Sequence, residues 1–183
     1  MKAIILAAGM GSRIKPLTDN CPKTLLEIGG ISILERMLSN IQVCGISEVI
    51  IVLGYLQEQI EDFVGNTFPD LDVHFIINTR YTETNTGYSL MLTEDLVKGA
   101  PFVKFDADVV FDREILEKLL ASNDKNCLCI DKNIQLDAEE IKVVVRDGNR
   151  IVSASKTVLP CNAIGESIGI EKICVETADM LFA

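Results

Sequence analysis

A short apolar run, Ala3-Ile4-Ile5-Leu6-Ala7-Ala8, empties without a break into Gly9-Met10-Gly11-Ser12-Arg13, and Pro22-Lys23 follows. A strand that ends on glycines constrains the fold. The chain must leave a buried strand through a loop whose backbone can approach a bulky anion and turn its N–H groups inward. That loop carries one guanidinium, which grips phosphate oxygens in a planar fork, and ten residues later one ammonium, a mobile point charge. These are the parts needed to hold a nucleoside triphosphate by its phosphates. Two other phosphate loops are excluded. No Gly-Lys-Ser/Thr follows at P-loop spacing, and no third glycine sits three residues after Gly11 to complete a dinucleotide fingerprint.

Strand and helix signals alternate along the rest of the chain. Strands are expected at Lys2–Leu6, Glu48–Leu53, Val73–Ile77 and Phe102–Phe105, the second of them a continuous apolar run of the buried parallel kind. Helices are expected at about Ser32–Cys44, Leu56–Val64, Thr86–Val97, Arg113–Ala121 and Cys174–Phe182. Ser32 reads as an N-cap with Glu35 three residues on, and Gly45 as the stop. The second half turns β-rich, with strands at Cys127–Ile130, Ile141–Val145 and Arg150–Ser155 and a hairpin turn at Asp147-Gly148. This order predicts an α/β layered fold with a mostly parallel sheet, whose ligand crevice lies at the carboxyl ends of the strands. The Gly9–Arg13 loop and Asp106-Ala107-Asp108 both sit at such ends.

The 183 residues suffice for one substantial core, and a single domain is expected. A net charge of −10 argues against a nucleic-acid partner, which would require a basic stripe. Any polyanion site must then be local, built from a few cations and a metal. Six cysteines without a Cys-x-x-Cys pair, and one histidine, argue against zinc or a disulfide framework. Reduced, mostly buried thiols in a cytoplasmic protein are expected. The apolar start is too short to span a membrane and lacks a signal-peptide layout. His74 falls within a strand and reads as structural, so no histidine-based acid–base mechanism is available.

Asp108 closes the fourth strand, where a triphosphate pocket needs a divalent cation; magnesium favours one or two carboxylates plus phosphate oxygens. Asp106 divides evenly between metal ligation and a turn or capping role, and Asp112 reads as the cap of the next helix. Thr84-Asn85-Thr86-Gly87-Tyr88-Ser89-Leu90 offers amide and hydroxyl groups suited to a flat polar heterocycle. Its other reading is a helix N-cap through Thr84 or Asn85.

Taken whole, Leu6-Ala7-Ala8-Gly9-x-Gly11-Ser12-Arg13 with Pro22-Lys23 resembles the signature of nucleotidyltransferases that activate sugar phosphates and phospho-alcohols. Asn85-x-x-x-Ser89-Leu90, the Asp-Ala-Asp strand end, Glu140-Ile141-Lys142-Val143, Lys156 and Gly165-Glu166-Ser167-Ile168-Gly169 look like cytidylyltransferases acting on phosphocholine, 2-aminoethylphosphonate or inositol phosphate. The resemblance implies a Rossmann-like three-layer α/β/α fold, CTP as donor, Mg2+ dependence and release of pyrophosphate. It implies nucleotide contacts from Leu6, Ala7, Ala8, Gly9, Gly11, Ser12, Asn85, Gly87 and Ser89. Arg13 would hold the departing pyrophosphate, Lys23 would bridge the α-phosphate and the incoming oxygen, and Asp108 would hold magnesium.

On the acceptor side, Lys156 between Ser155 and Thr157 suits a phosphate or phosphonate. Lys142 divides evenly between that role and plain surface solvation. Glu166 and Asp131 could meet an ammonium headgroup, and the rings of Tyr81 and Tyr88 could face the same cation; each also reads as an ordinary loop or packing residue. Two rivals stay open. One is a sugar-1-phosphate nucleotidyltransferase using UTP, GTP or dTTP. The other is a non-catalytic nucleotide-binding module, since the chain ends before the family's later elements and their metal-completing aspartate. The apolar C-terminal helix could serve an oligomer.

Overall fold

The computed structural model describes residues 1–182. In chain order the elements open with β1 (Lys2–Ala7), β2 (Glu27–Ile28), β3 (Ile31–Ser32), α1 (Ile33–Val43), β4 (Glu48–Leu53) and α2 (Gln57–Thr67). Then come β5 (Asp72–Ile77), α3 (Thr86–Met91), α4 (Glu94–Val97), β6 (Phe102–Asp106) and α5 (Arg113–Ala121). The chain closes with β7 (Cys127–Asp131), β8 (Lys142–Arg146), β9 (Arg150–Ser155), β10 (Gly165–Ile173) and α6 (Val175–Leu181). Two compact units result: residues 1–127 with residues from 171 onward, and residues 128–170.

In the first unit four parallel strands stand in the order β5-β4-β1-β6. The chain runs outward from β1 through β4 to β5, then returns to pair β6 with the other edge of β1. That reversal is a topological switch point, and such sheets bind ligands outside the strand carboxyl ends where it occurs. Register aligns those ends: Ala7 lies opposite Leu53, and Leu6 opposite Asp106. The loops after β1, β4 and β6 therefore leave the sheet along one edge.

Side chains alternate across the strands, so the two faces bury different sets. Ile4, Leu6, Ile50, Val52 and Phe102 share a cluster with Val97 of α4 and Ala178 of α6, with Leu90 and Phe182 packed against it. On α1, Ile33, Leu34, Met37, Leu38 and Ile41 are all buried, and the Ser32 hydroxyl accepts from the Glu35 N–H at 3.1 Å. Burying each such side chain is worth about 1.5–3 kcal/mol, which holds an eleven-residue helix that would fray alone. The Asn40 amide of α1 donates to the Phe111 carbonyl at 2.9 Å, and the Phe111 ring stacks on Phe105 of β6 at 5.7 Å.

The second unit is antiparallel. β8 and β9 form a hairpin, turned by Asp147 and Gly148 at φ 48 and 88, with a register shift at Val144/Val145. On its other side β8 meets β10, Lys142 opposite Glu166.

Several expectations need correction. The helix expected at Thr86–Val97 is two segments, interrupted at Leu92-Thr93, where the Thr93 N–H donates to the Leu90 carbonyl three residues back at 3.0 Å and the buried Thr93 hydroxyl donates to the same carbonyl at 2.7 Å. Asp112 occupies the N-cap position of α5 without a side-chain capping bond. No disulfide joins the cysteines among the described residues, and five of the thiols are half-buried and Cys161 exposed, rather than mostly buried. The β2–β3 hairpin around Gly29-Gly30 and the long strand β10 were not foreseen. No helix among the described residues is long and apolar enough to cross a membrane.

Candidate active site

The loop after β1 is shaped by Gly11, whose φ of 61 lies in the left-handed region. A methyl group there would stand 2.9 Å from Thr18 Cγ2 and 3.3 Å from Lys23 Cβ, so the loop and Lys23 are in packing contact. A Cβ on Gly9 would meet nothing within 4 Å, which leaves that stretch of backbone open to an approaching ligand. Ser12 and Arg13 begin a single 3-10 turn, Ser12–Ile14, and both are exposed. Leu6, Ala7 and Ala8 are buried, with the Leu6 side chain in the core cluster, so they can offer a ligand only main-chain groups.

Residues far along the chain pin the loop from behind. The buried Thr18 hydroxyl donates to the Gly11 carbonyl at 2.9 Å. The Tyr55 hydroxyl lies 2.7 Å from the Asp19 carbonyl and 3.1 Å from that of Thr18, and Gln59 donates to the Asn20 carbonyl at 3.2 Å. Tyr55 N–H donates to the Ala8 carbonyl at 3.2 Å. Gly54 permits this approach: a Cβ there would fall 2.7 Å from the Ala8 oxygen and 2.8 Å from the Tyr81 side chain. Thr18, Gly54, Tyr55 and Gln59 were not singled out from sequence. A glycine followed by tyrosine directly after an apolar strand was the available signal.

Lys23 enters on a second 3-10 turn, Lys23–Leu25, behind the buried Pro22, and its ammonium pairs with the Asp108 carboxylate. The structure thus brings together the glycine loop, Lys23 and Asp108. Asp106, at the end of β6, pairs with Lys104 at 3.0 Å, and the same ammonium reaches Glu171 of β10 at 3.3 Å. Lys104 is largely shielded, with 12% of its side chain exposed, whereas Asp106 and Asp108 are 37% and 39% exposed. Lys104 and Glu171 were missed because their pairing joins residues 67 positions apart.

Two hard carboxylates at an open strand end match the donor chemistry of magnesium. Among the described residues no group of three or more His, Cys, Asp or Glu could hold a metal unaided. A cation here would complete its coordination with oxygens from outside the chain, water in the free protein and phosphates once a nucleotide is bound. The residues fit the ion.

On the loop after β5, Asn78 is the organiser. Its buried amide donates to Thr84 Oγ1 and to Ser89 Oγ, both at 3.0 Å, and its carbonyl accepts from Arg80 N–H at 2.9 Å. Ser89 is therefore an interior partner of Asn78, 4% exposed, rather than a hydroxyl open to a base. Asn85 caps α3, accepting from Tyr88 N–H at 3.1 Å, and Gly87 lies exposed in that first turn. The Tyr88 ring carries the Arg80 guanidinium at 5.7 Å, so a cation of the protein already occupies that face. Tyr81 packs near Tyr55, ring centroids 6.4 Å apart.

In the second unit Lys142 is 1% exposed and donates to the Asp137 and Glu140 carbonyls at 2.6 and 3.1 Å. Surface solvation is thereby overturned for it; its charge ties down the 137–140 turn. Lys156 is exposed and pairs with Glu139 at 3.2 Å. Asp131 Oδ1 accepts from Asn133 N–H at 2.8 Å. Burial pushes the Glu166 carboxyl above its ordinary range, helped by Glu140, Asp131 and Asp137 and opposed by Lys142. His74, on β5, stands 3.5 Å from Asp72.

The parallel sheet, its switch point and its flanking helices place the chain in the Rossmann-like α/β class. More narrowly, it belongs to the MobA-like NTP transferase family, whose model matches residues 3–153. It is 42% identical to the choline-phosphate cytidylyltransferase of Haemophilus influenzae over 115 residues, 63% of this chain and 47% of that one. It is 31% identical to the CTP:phosphoglutamine cytidylyltransferase of Campylobacter jejuni over 138 residues, 73% of this chain and 53% of that one. The inositol-1-phosphate CTP transferase from T. maritima shares the fold, with a TM-score of 0.82 at 23% identity, covering 98% of this chain and 72% of that one. The chain spans about half the length of these two curated relatives.

Proposed function

We propose that the chain transfers CMP from CTP to a small phosphorylated or phosphonate alcohol of the phosphocholine or 2-aminoethylphosphonate type, releasing pyrophosphate. The observation that carries the transfer chemistry is the pairing of Lys23 with Asp108 beside the Gly9–Gly11 backbone, at the sheet's switch point. The substrates in the relatives' names support CTP and a phosphorylated acceptor.

An acceptor phosphate oxygen attacks the α-phosphorus in line, forming one P–O bond as the bond to the β-phosphate oxygen breaks. The acceptor is already anionic, so no general base is required, and catalysis is positioning and charge neutralisation. Main-chain groups from Ala8 to Gly11 hold the nucleotide, Arg13 receives the departing pyrophosphate, and Lys23 bridges the α-phosphate and the incoming oxygen. Bound at Asp108, with Asp106 beside it, magnesium would neutralise the phosphates. Asn85 and Gly87 stay on the base side. For the acceptor we retain Lys156 toward its phosphate and Glu166 with Asp131 toward its ammonium.

The test is pyrophosphate release by this chain with each of the four triphosphates, magnesium, and a panel of acceptors. Release with CTP and an amine-bearing phospho-alcohol is expected. Release only with UTP, GTP or dTTP and a sugar 1-phosphate, or nucleotide binding without release under any pairing, overturns the proposal.

A further inference from the structure

Both candidate metal carboxylates are already covered by ammonium groups. Lys23 sits on Asp108, and Lys104 on Asp106. The two lysines differ in what else they can hold. Lys104 keeps a second anionic partner, Glu171 at 3.3 Å, so it stays neutralised if Asp106 turns away. For Lys23 the Asp108 carboxylate is the ion pair the structure shows, and its side chain, 31% exposed, is free enough to swing.

From this we infer that Lys23 is a place-holder for the divalent cation: the ion enters Asp108 by exchange with an ammonium, and that exchange releases Lys23 toward the phosphates. The inference rests on the metal reading proposed above. Electrostatics gives the reason. A carboxylate that accepts a divalent cation while an ammonium stays beside it leaves two like charges in contact, which costs free energy whatever the local dielectric. Water can hydrate a departing ammonium, but an arriving triphosphate offers it a stronger partner. Metal and nucleotide binding are coupled through the one side chain both displace, and such coupling is reciprocal. With no nucleotide, the lysine competes for Asp108 and weakens metal binding. With nucleotide, the competition disappears and its charge is spent on the phosphates.

The sign of this effect is unusual. A lysine held away from Asp108, its charge screened by water, would when removed leave metal binding nearly unchanged. A place-holder, when removed, tightens it. The experiment is Mn2+ binding to the intact chain without nucleotide, read by the loss of free-ion electron paramagnetic resonance signal, for wild type, Lys23→Ala and Asp108→Asn. Circular dichroism confirms that each variant is folded. Lys23→Ala should bind Mn2+ about two- to five-fold more tightly, the size expected on deleting one solvated ion pair from the competition. The increase in Mn2+ affinity on adding a non-hydrolysable CTP analogue should shrink in the same variant.

Equal or weaker Mn2+ binding by Lys23→Ala, with binding lost in Asp108→Asn, overturns the place-holder and leaves the metal reading standing. Mn2+ binding undiminished in Asp108→Asn overturns the metal reading, and this inference with it. Should Lys23→Ala misfold, Lys23→Gln, which keeps most of the side chain and removes the charge, gives the same two arms.

Discussion

Replacing the Lys23 ammonium with a methyl group acts on two states of the site. In the resting state it leaves the exposed Asp108 carboxylate without its cation, a change that costs little because water can reach it. In the proposed transfer step it removes charge from the oxygens that gain it as the α-phosphorus changes partners, where an oriented cation is worth far more. The two should separate in kinetics. Lys23→Ala is expected to lower kcat about 100- to 1000-fold while CTP affinity changes less than about five-fold, measured by initial rates and equilibrium dialysis. Equal losses would make the lysine a binding group only. Such contrasts were legible from sequence for Lys23 and Asp108, since charged residues beside a glycine loop and at a strand end announce themselves. They were not legible for Ser89, whose hydroxyl is buried against Asn78, or for the Arg80 guanidinium that lies over one face of the exposed Tyr88 ring.

Elements carry the next level of control. The loop from Asn78 to Ser89 has little regular structure before α3, and one buried amide makes three of its side-chain bonds. Asn78→Ala should cost about 1–3 kcal/mol by urea denaturation, since it takes the amide partner from the buried Ser89 hydroxyl and the half-buried Thr84 hydroxyl. Amide exchange at residues 80–89 should rise together. On β10, Glu166 faces Lys142 across the ladder with its carboxyl raised by burial. A raised carboxyl binds its proton more tightly folded than unfolded. Its contribution to stability is therefore fully present below the unfolded value near 4.3 and is lost as pH rises through the folded one. Glu166→Gln, permanently neutral, should raise the melting temperature at pH 7 and confer no gain at about pH 4; a gain of equal size at both would assign the effect to packing. At this scale the parallel strands were plain in the sequence, because each is a short, mostly apolar run; β1 and β4 are buried along nearly all their length, while the edge strand β5 is half-exposed. β10 was not plain, because polar Glu166, Ser167, Glu171 and Lys172 interrupt it and its pairing with β8 lies beyond any local window. The single helix expected at 86–97 is interrupted at Leu92-Thr93, where the backbone tightens to an i→i−3 bond that the residue pattern does not announce.

Across the whole molecule the balance of charge opposes the ligand proposed for the site. The chain carries a net charge of −10, and free CTP is itself a polyanion. Local cations can fix a phosphate once it arrives, but at separations beyond a Debye length of about 10 Å at 0.1 M salt an incoming nucleotide meets the total field. Two consequences follow from the sign. Raising ionic strength screens the repulsion, so nucleotide association should accelerate with salt, the reverse of the behaviour of basic nucleic-acid binders. Magnesium complexation removes two charges from the nucleotide before it reaches the surface, so the salt effect should be smaller for the complexed form. Stopped-flow association of a fluorescent CTP analogue between about 20 and 200 mM potassium chloride tests both. A rate that climbs with salt, more steeply without magnesium, fits an acidic molecule with a small cationic site. A rate that falls would mean that the field at the Gly9–Arg13 loop reaches solvent unmasked, and that Arg13 and Lys23 steer the nucleotide as well as hold it.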